Sequence, residues 1–257
     1  MGTDALSEIC GPARTPVAWV RPGHIGYIGP DLGVDPHAPS VGMLSVGLAA
    51  PLIVHTAHGP IRTGSSFAPA RTTQRAVATS GWILTLFIDP SGAPGAAIGD
   101  EMTAAAGRFG LGHRRERELI ELCQAPVVDP DLIYARAVAG AGVVADPRIE
   151  RIAAGIRDDP ARTFRAEQVA ANLGLSTTHF LRLFTQQCGT TFRGYQRWNR
   201  MVHTVRGAVA GHDLTRSAMD AGFATPSHFS ETFRGMIGLP ATRILRAGIR
   251  FDLGAPA

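Results

Sequence analysis

The chain has 257 residues, of which 45% are hydrophobic and 18% charged, enough apolar material to bury a core in one large domain or two ordinary ones. No run of eighteen or more uncharged apolar residues occurs, and the N-terminus lacks a basic stretch followed by an apolar one, so a soluble, cytoplasmic chain with no membrane partner is expected. Cys10, Cys123 and Cys188 lie far apart, without a C-x-x-C pair or a Cys/His grouping at ligand spacing, so neither disulfides nor structural zinc is expected, and nothing asks for a cofactor. Every basic side chain is arginine. Residues 1–145 carry ten Arg against twelve acidic residues, a net of −2, whereas residues 146–257 carry fifteen against nine, a net of +6. The C-terminal part is therefore the part suited to a polyanion.

Along the first ninety residues, short apolar runs bounded by Gly, Pro and Thr predict strands over His24 to Ile28, Met43 to Leu48, Leu52 to His55 and Trp82 to Ile88. Asp89-Pro90-Ser91-Gly92 supplies the turn that ends the last of them. From about Ile98 the pattern turns helical, with Arg114 to Gln124 and Asp131 to Ala139 as helices. Gly140-Ala141-Gly142 loosens the chain, and a domain boundary is expected near residue 144. Asp146-Pro147 then starts a helix, an acceptor at N-cap followed by proline at N1, with Ile149, Ile152, Ala153 and Ile156 on one face.

A repeat carries most of the information. Thr178-His179-Phe180-Leu181-Arg182-Leu183-Phe184 recurs 49 residues later as Ser227-His228-Phe229-Ser230-Glu231-Thr232-Phe233. In each copy the two phenylalanines and the residue between them at i, i+3, i+4 share one helix face. Each copy follows a short apolar helix that stops at glycine, Gly174 in one and Gly222 in the other. Helix, glycine turn and amphipathic helix make a helix-turn-helix. Ser176 can cap the second helix of the first unit, and Thr225-Pro226 supply N-cap and N1 for the other. Between the units Phe192, Tyr195, Trp198, Val202, Val205 and Val209 form a stripe over roughly seventeen residues, about 26 Å of helix. A connector of that length suits two helices reading successive major-groove faces, which repeat at about 34 Å.

Residues 147 to 246 resemble the DNA-binding domain of AraC/XylS transcription regulators. The match runs through Val169-Ala170-x-x-Leu173-Gly174-Leu175-Ser176-x-x-x-Phe180-x-Arg182-x-Phe184, Gly189-x-x-Phe192-x-x-Tyr195 and Arg200. It continues through Ala221-Gly222-Phe223-x-x-x-Ser227-x-Phe229-Ser230-x-x-Phe233-Arg234 and Gly238-Leu239-Pro240-Ala241. The resemblance implies a sequence-specific regulator, an activator working through RNA polymerase, which places two helices in consecutive major grooves of double-stranded DNA. Its candidate DNA-binding residues are Ser176, Thr177, Thr178, Arg182 and Arg200 in and after the first unit. In the second they are Thr225, Pro226, Ser227, His228, Ser230, Glu231 and Arg234. Three positions depart from the family pattern: Leu181, often polar; Glu231, commonly arginine; and Ser217, usually aliphatic. A carboxylate at 231 would repel phosphate or accept from a cytosine amino group.

The N-terminal segment is similar, more loosely, to the cupin-like sensing half of such regulators, through Arg62-Thr63-Gly64-Ser65-Ser66-Phe67-Ala68-Pro69-Ala70, Thr72-Thr73-Gln74-Arg75 and the Trp82 strand. That implies a small-molecule effector and a homodimer. Metal-binding cupins carry His-x-His with a downstream Glu, which is absent here; His55 and His58 offer only an H-x-x-H pair. The fold expected is α+β: a small antiparallel β domain over residues 1–143, β-rich to about 96 and helical after, then an all-α domain over 144–257. No phosphate loop, dinucleotide fingerprint or nucleophile elbow appears, so catalysis is not expected. Two alternatives remain: a helical interaction partner that has lost DNA affinity, and a DNA-repair methyltransferase. The latter would need an activated thiolate, for which Cys10 beside Gly11-Pro12 has no electropositive setting.

Overall fold

A computed structural model describes residues 14–56, 58–79, 81–90, 95–138 and 146–254. Cys10, the Ser91-Gly92 end of the turn, Ala139, Gly140-Ala141-Gly142 and the boundary near 144 lie outside them. The N-terminal part contains β1 (Val17–Arg21), β2 (His24–Pro30), β3 (Gly42–Gly47), β4 (Leu52–Thr56), β5 (Gly59–Thr63), β6 (Ser65–Ala68), β7 (Arg75–Ala78) and β8 (Trp82–Ile88). It continues through α1 (Gly95–Asp100), β9 (Met102–Ala106), β10 (Phe109–His113), α2 (Glu116–Gln124) and α3 (Pro130–Ala137). The C-terminal part contains α4 (Pro147–Asp158), α5 (Ala166–Asn172), α6 (Thr177–Cys188), α7 (Phe192–Val209), α8 (Leu214–Asp220), α9 (Pro226–Ile237), α10 (Ala241–Leu245) and β11 (Arg250–Asp252). The chain is α+β.

One sheet has the order β11-β1-β2-β8-β3-β6-β10-β9, and a second, smaller one the order β5-β4-β7. Alternation along a strand gives the large sheet two faces. On β8, Leu84, Leu86 and Ile88 pack with Leu44 and Val46 of β3 against Leu119, Cys123, Ile133 and Ala137 of α2 and α3. The opposite face presents Met43 and Phe87, which join Trp198, Met201, Phe229, Phe233 and Met236 of the C-terminal helices. Ile83 reads as apolar as Leu84 because it is covered too, by a cluster with Leu52, Val54 and Ala76 of the small sheet. A continuous apolar run is what a strand shows when both of its faces are buried.

Two elements depart from the sequence reading. The stretch after Ile98 is not helical throughout: Met102–Ala106 and Phe109–His113 form a hairpin whose second strand pairs with β6, Gly110 opposite Phe67. Thr103-Ala104-Ala105-Ala106 carries good helix formers, but Gly107, at φ +59, turns the chain and cross-strand bonds outweigh propensity. The other departure is at the C-terminus. Residues 250–252 leave the helical domain and pair in parallel with β1, Val17 opposite Arg250, with the Arg21 guanidinium 2.7 Å from the Asp252 carboxylate. The last segment of the helical half thus completes the edge of the N-terminal sheet.

Candidate nucleic-acid interface and interdomain cavity

Each helix-turn-helix is built by local signals. Ser176 Oγ accepts from the His179 amide at 3.3 Å and Thr225 Oγ1 from the His228 amide at 3.1 Å, satisfying the first turns of α6 and α9. Both turns pass through left-handed glycines, Gly174 at φ +66 and Gly222 at φ +84. At Gly222 a Cβ would also come within 3.0 Å of the Ala161 carbonyl, so this position excludes a side chain on two grounds. The first unit closes its own core: Phe180, Phe184, Phe192 and Tyr195 bury their rings with Ile149, Ile156 and Val169. The core of the second unit is completed by Met43 and Phe87 of the sheet and by Val41 just before β3. α7, 18 residues and about 27 Å long, joins the two.

The exposed faces carry the candidates. On α6, Thr178 and Arg182 are exposed and Thr177 half-buried, while Phe180 and Phe184 point inward. Among the described residues Arg182 has no hydrogen-bond or ion-pair partner. On α9, Pro226, Ser227, His228, Ser230, Glu231 and Arg234 are exposed. Several of these have internal contacts: Ser230 Oγ donates to the Pro226 carbonyl at 3.0 Å, the His228 ring meets Phe223 edge-on, and Arg234 pairs with Asp35 at 2.9 Å.

Arg200 is placed elsewhere. Its Nε donates to the Pro160 carbonyl at 3.1 Å, Nη1 to the Gly222 carbonyl at 3.1 Å and Nη2 to Thr163 Oγ1 at 3.2 Å. The guanidinium thus ties the loop before α5 to the turn before α9 from a half-buried position, with three of its five N–H donors engaged within the chain. Ser217 fills its usually aliphatic position with a buried hydroxyl that has no hydrogen-bond partner among the described residues.

Besides the β11 pairing and the shared apolar core, polar contacts and a void mark the meeting of the two halves. Asp35 N–H donates to the Gly238 carbonyl at 2.9 Å and Ala38 N–H to that of Gly235 at 3.0 Å, holding the chain before β3 against the C-terminal end of α9. At the far side the buried Asp89 carboxylate accepts from Tyr195 Oη at 3.0 Å, with Arg157 at 3.9 Å. Between these, the second face of the large sheet and helices α7, α9 and α10 line a partly open cavity of about 140 Å³.

A protein-family model described as a helix-turn-helix domain matches residues 169–247, from within α5 to just past α10. The invasion protein InvF of Salmonella typhi and that of Salmonella typhimurium are each 33% identical to this chain over 72 residues, 28% of this chain and 33% of theirs. Residues 169–247 are a helix-turn-helix domain of the AraC type. The match spans about a third of the length of those curated relatives. The fold as a whole is similar to that of ToxT from Vibrio cholerae. The unsaturated fatty acid-bound protein of strain SCE256 gives a TM-score of 0.59 at 11% identity, covering 88% of this chain and 95% of that one. The protein of strain O395 gives 0.57 at 12%, covering 88% and 98%. Among the described residues no helix is long and apolar enough to cross a membrane.

Placing the AraC-type domain on its sheet reveals residues that carried no signal in the sequence. Asp89 reads as a turn residue after a strand, yet its carboxylate lies against α4 and α7. The cavity is equally silent, because each of its walls is an ordinary apolar stripe that looks like core until the two walls are set apart.

Proposed function

We propose that this protein is a sequence-specific, DNA-binding transcriptional regulator that lays α6 and α9 into consecutive major-groove segments and takes a small-molecule effector between its halves. The observation that carries this reading is the duplicated helix-turn-helix with matching caps and glycine turns, each unit burying its phenylalanines and exposing its polar face. The net charge of +6 after residue 145 supplies the electrostatic attraction to phosphate. The cavity supports the effector role, in a fold similar to that of a protein whose structure holds an unsaturated fatty acid. By resemblance, the regulator is a cytoplasmic homodimer without enzymatic activity that activates promoters through RNA polymerase.

Salt-dependent gel shift and selection from a randomised site library test the reading. Arg182, exposed and unpartnered, is the principal base reader or phosphate contact of α6 in this scheme, with Thr177 and Thr178 beside it. If it grips guanine, Arg182→Ala weakens the preferred site by about 1 to 3 kcal/mol and relaxes selection at one position. Equal affinity and equal selectivity in the mutant would remove Arg182 from the interface.

Glu231 sits among the exposed residues of α9, where its carboxylate opposes phosphate contact. Glu231→Arg is expected to tighten binding to all sequences and steepen the log-log salt dependence by about one unit. Titrations against native and scrambled sites at several salt concentrations check this. Weakening confined to the native site would make Glu231 a reader of cytosine instead.

A further inference from the structure

We infer that the interdomain cavity selects a compact, uncharged, largely apolar ligand with one or two hydrogen-bonding groups, and rejects carboxylates. The inference rests on the effector role proposed above and specifies its chemistry. The walls are apolar above and below: Val20, Ile25 and Phe87 from the sheet face Met201, Val205 and Ile237 from the helices. Among the described residues no arginine, aspartate or glutamate lines the cavity. Its two ionisable groups are both engaged. Tyr27 Oη donates to the Pro30 carbonyl at 2.8 Å. His37 donates from Nδ1 to the Asp35 carbonyl at 2.9 Å, which leaves Nε2 to accept from the Gln74 amide at 3.2 Å. Burial also holds the His37 ring below its ordinary pKa, so it offers no positive charge.

One polar spot interrupts this lining. Ser45 on β3 and Thr85 on β8 stand directly opposite each other in the strand register, both on the cavity face. Among the described residues, Ser45 Oγ is buried without a hydrogen-bond partner, beside the half-buried Thr85. A buried hydroxyl without a partner is unfavourable, and a ligand hydroxyl, carbonyl or ester oxygen placed over this pair would relieve it. An ionised carboxylate would lose its hydration with no cation to replace it. A cavity of this size holds a single ring or a short chain.

The test compares 1-octanol, methyl octanoate and sodium octanoate on the full chain at pH 7.5, read by thermal shift and tryptophan fluorescence, with Trp198→Phe assigning the signal to the cavity. The two neutral probes are expected to bind about 30-fold or more tightly than octanoate. Octanoate binding should strengthen about tenfold for each unit of falling pH above its own pKa, because the protonated acid is the form that fits. Val205→Arg should bring octanoate up to or beyond octanol, whereas Val205→Trp, or Ile237→Trp should the first fail to fold, should abolish octanol binding. Octanoate binding as tightly as octanol to the native chain, octanol binding that survives occlusion, or no binding by either neutral probe overturns the inference. Gel shift on the same preparations keeps the two readings apart: a chain that shifts DNA but takes no probe loses only the ligand, and one that takes octanol but shifts no DNA loses only the regulator.

Discussion

Replacing Phe184 with alanine is expected to cost about 3 to 5 kcal/mol of stability and to remove DNA binding through unfolding rather than through a lost contact. The ring is fully buried and meets three others: Phe192 at 5.1 Å, Tyr195 at 5.8 Å and Phe180 at 6.0 Å between centroids. The contacts with Phe192 and Tyr195 hold α6 to α7. The void left by truncation has little room to close, because Tyr195 is pinned to Asp89 across the domain boundary and Phe180 is itself fully buried. The repeat-related Phe233→Ala should lose less, since that ring already borders the interdomain cavity and its removal extends an existing void. Urea unfolding of both variants measures the difference. A Phe184 variant with the native midpoint would mean that α6 turns another face to the core.

The parts of this fold that could be read from sequence are those set within one helical turn. Asp146-Pro147 and Thr225-Pro226 start α4 and α9 where they stand because an acceptor and a proline act on the next three residues. The two helix-turn-helix units were legible for the same reason, and their duplication separated pattern from chance. The hairpin of β9 and β10 was not, because the alanines of β9 favour helix and only pairing with β6, some forty residues earlier, decides against it. β11 is three residues long and finds its partner more than 230 residues away, at β1. Arg200 shows a similar limit at the candidate site. Its motif position and charge suggest a phosphate contact, and only the placement of Pro160, Thr163 and Gly222 shows that three of its five donors also brace the domain.

Acid should destabilise the protein well above the pH at which its carboxylates protonate, and His24 should account for much of the effect. The imidazole is 3% exposed and stacks on Tyr134 at 4.3 Å with the rings 2° from parallel. Nε2 lies 3.2 Å from the Pro130 carbonyl and therefore carries the proton, while Nδ1 is buried with no hydrogen-bond partner within reach among the described residues. Burial lowers its pKa to about 4, and nearby Arg21 pushes the same way against the opposing pull of Asp131. The unfolded chain regains a histidine of pKa about 6.5, so between these values it binds a proton that the folded chain refuses. Stability is therefore fully present above about pH 6.5 and is lost as pH falls toward 4, by about 3 kcal/mol if His24 acts alone. His37 and His113, both buried and both shifted downward, add in the same direction. Asp146 and Asp252, whose pKa values are lowered by arginine partners, contribute chiefly below this window. Urea titrations at half-unit steps from pH 7.5 to 4 should show this loss in the native chain and a shallower slope in His24→Gln, which cannot titrate. Parallel curves for the two proteins would mean that His24 accepts its proton in the folded state, and that the stack on Tyr134 opens to admit water.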